Sequence, residues 1–184
     1  MIETDRLRLR KFEEKDLSSI LKIYGNPQIN RFLPWFPLKN MEEAKAFLEK
    51  EKTKKLSFAI CLKEDDIPIG YIKVSEDDSH DLGYGLLPEY QKKGIMTEAG
   101  KALIQYLQSL FIPFITATHD KNNPKSGNVM KRLNMKYLYS YVEMWEPKHF
   151  EVTFQLYILN LDGKENRKFD LCWNKYPNHF IEDN

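Results

Sequence analysis

One stretch in the middle of the chain, Leu86-Leu-Pro-Glu-Tyr-Gln-Lys-Lys-Gly-Ile-Met-Thr-Glu98, carries the ingredients of an anion site. An apolar strand ends at Pro88, a short polar loop turns, and helix-forming residues follow from about Gly94. The first N–H groups of a helix have no partner inside it, and the helix dipole adds partial positive charge at the same end. Together they can hold a phosphate. Gly94 permits close backbone approach to a bulky anion, and Lys92 and Lys93 add charge nearby. The same residues also read as an ordinary connection with a glycine placed for the turn.

Three other groups carry reactive or shape-giving side chains. Asn123-Pro-Lys-Ser126 has the pattern of a helix start, with Asn as cap, Pro at the first position and a hydroxyl within the first turn. Glu76-Asp-Asp78 with His80 and Asp81 gathers carboxylates and an imidazole, and also fits a solvated acidic loop. Arg31-Phe-Leu-Pro-Trp-Phe-Pro37 is irregular, because two prolines deny it ladder donors.

These groups need elements to position them. Arg6–Arg10 alternates polar and apolar residues as a half-buried strand does. Leu17, Ile20, Leu21 and Tyr24 recur at helical spacing before Gly25, and a second helix starts at Asn40. Ser57–Leu62 and Ile69–Val74 read as a hairpin, followed by a strand over Asp81–Leu87 and a helix over Gly94–Ser109. Phe114–Thr118 is the next strand. A strand–helix–strand crossover is right-handed, which makes Asp81–Leu87 and Phe114–Thr118 parallel neighbours. After a helix from Asn123 to about Asn134, Lys136–Met144 and Phe150–Leu161 close the fold as an antiparallel pair. The expected class is α+β: a mixed, mostly antiparallel central sheet with one parallel strand pair, and helices on both faces. Residues 1–163 form the domain, and residues 164–184, too aromatic for a free tail, pack back on it or on a partner subunit.

The 184 residues fit one domain, and 42% apolar content supports a buried core. With 28 basic against 27 acidic residues the net charge is +1, which argues against nucleic acid as partner. Cys61 and Cys172 lie far apart and form no CxxC, and the histidines lack ligand spacing, so neither a disulfide framework nor a metal is expected. No apolar run approaches the roughly 20 residues that cross a bilayer. A cytoplasmic protein without a membrane partner is the expectation.

Gln91-Lys-Lys-Gly94 resembles the Gln/Arg-x-x-Gly-x-Gly/Ala pyrophosphate loop of the GNAT acetyltransferases, and the flanking elements follow in that family's order. Leu33-Pro-Trp35, the Gly-Tyr strand, Gly94-Ile-Met-Thr-Glu-Ala99 and Asn123-x-x-Ser126 resemble its ribosomal-protein N-acetyltransferase branch. The likeness runs from about residue 3 to 160, and Met96 departs from it where Gly or Ala is commoner. It implies transfer of an acetyl group from acetyl-CoA to a primary amine by direct attack, with no covalent enzyme intermediate.

The resemblance also assigns roles. The amides of Gln91, Lys92, Lys93, Gly94, Ile95, Met96 and Thr97 hold the pyrophosphate. Backbone groups of Leu86 and Leu87 pair with the pantetheine arm across a cleft that a bulge near Gly85–Leu87 splays open. Asn123 approaches the arm, and Ser126 donates to the departing thiolate. The tyrosine acid usual one turn later is replaced by Met130. An amine with a lysine-like pKa near 10.4 must first lose a proton, and Asp81 and His80 are the leading bases beside Glu76, Asp77 and Asp78. Phe32, Trp35 and Phe36 would wall the acceptor side together with Tyr84, whose alternative is plain sheet packing. The acceptor is left open between a small amine and a protein N-terminus, and a homodimer paired through the tail is compatible. A non-catalytic acyl-CoA sensor of the same fold is the competing reading.

Overall fold

A computed structural model describes residues 1–183. Strands β1 (Ile2–Glu3) and β2 (Leu7–Arg10) lead into helices α1 (Leu17–Tyr24), α2 (Pro27–Asn30) and α3 (Met41–Lys52). Strands β3 (Ser57–Leu62), β4 (Pro68–Val74) and β5 (Leu82–Leu86) follow, then α4 (Ile95–Ser109) and β6 (Phe114–Asp120). Helix α5 (Pro124–Arg132), strands β7 (Lys136–Trp145) and β8 (Phe150–Asn160), helix α6 (Leu171–Lys175) and strand β9 (His179–Phe180) complete the order. Asn134 stops α5 in the left-handed region at φ 61°, a conformation Asn tolerates better than most residues.

Alternation along the strands builds two core layers. Phe58 and Ile60 on β3, with Ile72 and Val74 on β4, pack against Ala99, Leu103 and Leu107 of α4. Ala59, Cys61 and Tyr71 point the other way, onto Ile20, Ile23 and Tyr24 of α1 and Leu48 of α3. At side-chain period 2, this puts Tyr84 on the α4 side of β5 and Asp81 and Gly83 on the α1 side.

The expected single central sheet is instead two antiparallel ones, β1-β2-β3-β4-β5 and β6-β8-β7-β9. The expected parallel pair is no ladder: β5 and β6 meet at one parallel bridge, Asp81 with Thr116. Thr116 N–H donates to the His80 carbonyl at 3.3 Å and its Oγ1 donates to Ser79 O at 2.8 Å. Beyond that point the strands separate. No bulge causes this, since β4 and β5 stay in unbroken register from Val74–Leu82 to Gly70–Leu86.

Residues 164–183 are not featureless: β9 pairs with β7 at Tyr141–His179 and Ser140–Phe180. Tyr176 stacks on Tyr141 with centroids 4.7 Å apart, and Trp173 meets Tyr139 edge-on at 5.3 Å.

One buried ion pair fastens β2 to the following turn. Arg10 is forked onto Asp16 at 2.6 and 2.9 Å, and both are almost fully buried. Truncating one partner strands the other charge in the interior. Arg10→Ala is therefore expected to lower stability by about 3–5 kcal/mol, read as a lower urea midpoint at unchanged slope. The exposed pair Lys22–Glu89, 2.9 Å apart, should leave the midpoint almost unmoved in the same assay when Glu89 is replaced by Gln, because solvent screens it.

Candidate active site

The loop before α4 is built on two left-handed residues, Lys92 at φ 61° and Gly94 at φ 76°. This curls the backbone so that α4 starts abruptly, its first rung running from Glu98 N–H to Gly94 O at 3.0 Å. The N–H groups of Ile95, Met96 and Thr97 therefore find no acceptor among the described residues. Arg6 braces the loop from behind, 2.6 Å from Glu98 and donating to Lys93 O at 3.2 Å. A cavity of about 720 Å³ opens in front, walled by Gln91, Lys92, Gly94, Ile95, Met96 and Thr97. Lys125 and Arg132 of α5 face it from the far side. Lys93 is not in this wall; its ammonium lies 5.6 Å from the Tyr90 ring.

The free edge of β5 continues the cavity. Leu87 N–H bonds Ile69 O at 2.9 Å, and Ser75 N–H bonds Asp81 O at 2.9 Å. Odd-numbered residues of β5 thus spend their backbone groups on β4, and the even-numbered Leu82, Tyr84 and Leu86 face the gap. Leu87 accordingly has no main-chain donor to offer a ligand, and its side chain is buried. Leu86 does face the gap, where its carbonyl accepts from Gln91 Nε2 at 3.0 Å.

Asn123 does not cap α5: its side chain makes no capping bond, and it lines the cavity instead. Pro124 starts the helix by itself. One turn on, Ser126 Oγ donates to Tyr84 Oη at 2.9 Å, while Tyr84 Oη donates to Ser126 O at 2.9 Å. Burial pushes the Tyr84 phenol well above its usual range, partly offset by the bond from Ser126, so it keeps its proton at neutral pH. Sequence reasoning had this tyrosine as a wall; its pairing with a hydroxyl 42 positions away leaves no local pattern.

A second cavity, about 610 Å³, lies on the α1 side and shares Ile29, Phe32, Tyr84, Asn123 and Ser126 with the first. Phe32 and Trp35 line it, and Trp145 and Phe154 of the second sheet close it. Phe36 is excluded, pointing outward at 58% exposure. Asn30 holds this roof, donating from Nδ2 to Trp35 O and accepting from Lys148 Nζ of the β7–β8 turn at 2.7 Å.

Asp81 lines the second cavity, and burial, reinforced by the Asp77 charge and opposed by Lys73, pushes its carboxyl up to about 7. His80, its neighbour, is turned away by a backbone φ of 46° and packs edge-on against Phe114 at 5.1 Å. It lines neither cavity. Asp77 is occupied with Ser75 and Ser79 at the tip of its loop, whereas Glu76 reaches the cavity wall. His119 and Asp120, at the end of β6, also line it and were not singled out from the sequence. No cluster of three or more metal-ligating side chains occurs among the described residues, and no helix is long and apolar enough to cross a membrane.

The acetyltransferase (GNAT) domain family matches residues 6–136. The chain belongs to the GNAT family. An uncharacterized N-acetyltransferase of Bacillus subtilis, YnaD, is 31% identical over 140 residues, spanning 73% of this chain and 82% of that protein. Another from Bacillus licheniformis, p20, is 26% identical over 143 residues, 72% of this chain and 80% of that protein. The fold is shared with a GNAT-family acetyltransferase structure from Bacillus anthracis at TM-score 0.78 and 23% identity, covering 88% and 98% of the two chains. It is also shared with spermidine N-acetyltransferase from Vibrio cholerae in complex with CoA and spermine, at TM-score 0.73 and 17% identity over 86% and 97%. The protein is thus an N-acetyltransferase, with acetyl-CoA as co-substrate.

Proposed function

We propose that this GNAT enzyme acetylates a primary amine held in the α1-side cavity, with the cofactor entering through the α4-side cavity. The observation that carries this is the junction: the two cavities meet at the Tyr84–Ser126 hydroxyl pair. When bound, acetyl-CoA supplies a thioester carbonyl and a thiol leaving group, for which a free cysteine thiol's pKa of about 8.5 is a reference.

The chain's own groups have separable tasks in this reading. The free N–H groups of Ile95, Met96 and Thr97 grip the diphosphate, helped by Lys92 and the Gln91 loop. Main-chain groups of Tyr84 and Leu86, on the open edge, pair with the amides of the arm as an added strand would. In this arrangement the separated ends of β5 and β6 are the parallel pair that the ligand completes. The Asn123 amide, free of any capping duty, turns to the same arm. Asp81 takes the acceptor's proton, directly or through water. The Ser126 and Tyr84 hydroxyls hold a proton beside the departing sulfur. Met130 lies in the core, and Tyr84 supplies the phenol that position lacks. This weakens the sensor reading.

Thiol release from acetyl-CoA with a panel of amines tests the proposal. Tight CoA binding without turnover on any amine would overturn it. A base near pKa 7 also sets a pH profile: kcat/KM should rise through about pH 7. In Asp81→Asn that limb should vanish, with activity down about 100-fold or more. Because folding raises this carboxyl's pKa, its charged form costs stability, and the cost appears as pH rises from about 4 through 7. Asp81→Asn should therefore melt higher than the parent at pH 8 while losing activity.

A further inference from the structure

Lys73, on β4, stands in the wall of the acceptor cavity, its ammonium with no ion pair and no hydrogen bond among the described residues. Its cross-strand partner is Gly83, and a Cβ there would sit 3.3 Å from Lys73 Cε, so the bare glycine leaves room for the lysine stem. The ammonium lies 5.3 Å from the Trp35 ring centroid and 5.9 Å from that of Tyr71. Apart from Asp81, the other charged groups of the wall are engaged. Lys54 pairs with Glu51, Glu76 accepts from Lys55 N–H at 2.6 Å, and Asp120 accepts from Asn122 N–H at 2.7 Å. Burial works against the Lys73 charge, lowering its pKa, so an anion arriving here would relieve a standing cost.

Asp81 lies on the same face of the sheet, diagonal to Lys73 across Gly83. Diagonal neighbours on paired strands are about 7–8 Å apart at Cα, a span a compact molecule bridges. We infer that the acceptor is a small amine that also carries a carboxylate or phosphate, with its amine toward Asp81 and its anionic group on Lys73. This rests on the assignment of the α1-side cavity to the acceptor. A polyamine would set a second ammonium against Lys73, and a neutral amine would leave Lys73 unpaired. Both are disfavoured in the same pocket. The aromatic walls at Trp35, Phe32 and Trp145 suit an apolar body on that acceptor.

Thiol release with acetyl-CoA is compared for phenylalanine, phenylalaninamide, O-phosphoethanolamine and spermidine. The expected result is at least a tenfold higher kcat/KM for one or both anionic amines than for the amide and spermidine, and the better of the two identifies the anion. Lys73→Met should bring that ratio near one, through a higher KM for the anionic amines, and Lys73→Arg should retain the preference. Thermal melting of both variants checks that they fold. Equal or better turnover of phenylalaninamide or spermidine by the parent overturns the inference while leaving the transferase reading intact. So does an unchanged preference in a folded Lys73→Met. No thiol release with any of the four, despite measured CoA binding, counts against the acceptor-cavity assignment and removes the inference with it.

Discussion

Gly94→Glu should abolish acetyl-CoA binding, with Kd weakened by at least about 100-fold, or roughly 2.7 kcal/mol, while the fold survives. The residue stands where α4 begins, with the unsatisfied N–H groups of Ile95, Met96 and Thr97 just beyond it. A carboxylate here adds negative charge at the start of α4 and weakens the field that attracts the cofactor's anion. The fold should tolerate it because a Cβ at Gly94 meets only Arg6 Nη2, at 3.6 Å. Its φ of 76° costs a non-glycine residue about 1–2 kcal/mol, modest beside the 5–15 kcal/mol typical of a domain. Gly94→Ala carries the same strain without the charge. Calorimetric titration with CoA should place Gly94→Ala close to the parent and Gly94→Glu beyond detection. Equal loss in both would mean that backbone geometry, not charge, is at stake.

Removing either hydroxyl at the cavity junction should lower kcat about 100-fold, with the KM for acetyl-CoA little changed. Tyr84 and Ser126 exchange hydrogen bonds of 2.9 Å, so each fixes the other's proton. In Tyr84→Phe the serine hydroxyl loses its acceptor, and in Ser126→Ala the phenol loses its donor. Residues acting as one unit are strongly non-additive. The double variant should therefore be scarcely slower than the worse single variant in single-turnover measurements. Multiplicative losses would show two independent contributions and overturn the reading of the two hydroxyls as one unit.

How much of this was legible in the sequence depends on how local each requirement is. The loop before α4 was readable as a shape because its demands, a glycine at the turn and a helix start behind it, fall within a few consecutive residues. Asp81 and His80 were indistinguishable as neighbours in the chain. Only the left-handed backbone at His80 and the bridge to Thr116 separate them, sending one into the cavity and the other onto Phe114. Leu86 and Leu87 were likewise equivalent until strand register decided which of them faces β4. Asn123 followed a sound capping rule, yet Pro124 already fixes the helix start, and the amide was left for other use. The separation into two sheets was invisible because a crossover unit fixes direction, not the number of rungs. Helix α2 was missed because it spans only four residues, although Asn26 caps it and Pro27 opens it. Lys73 escaped notice for a different reason: a lysine in a strand reads as surface, and its lack of an anion partner is a fact of three dimensions.

The Asp81–Thr116 bridge is the single backbone rung that the strands of the two sheets share on this side, among the described residues. On the proposed assignment, the cofactor's arm furnishes the missing rungs farther along, so a filled site is also a stitched seam. The same residue would then serve as both the first rung of that seam and the base.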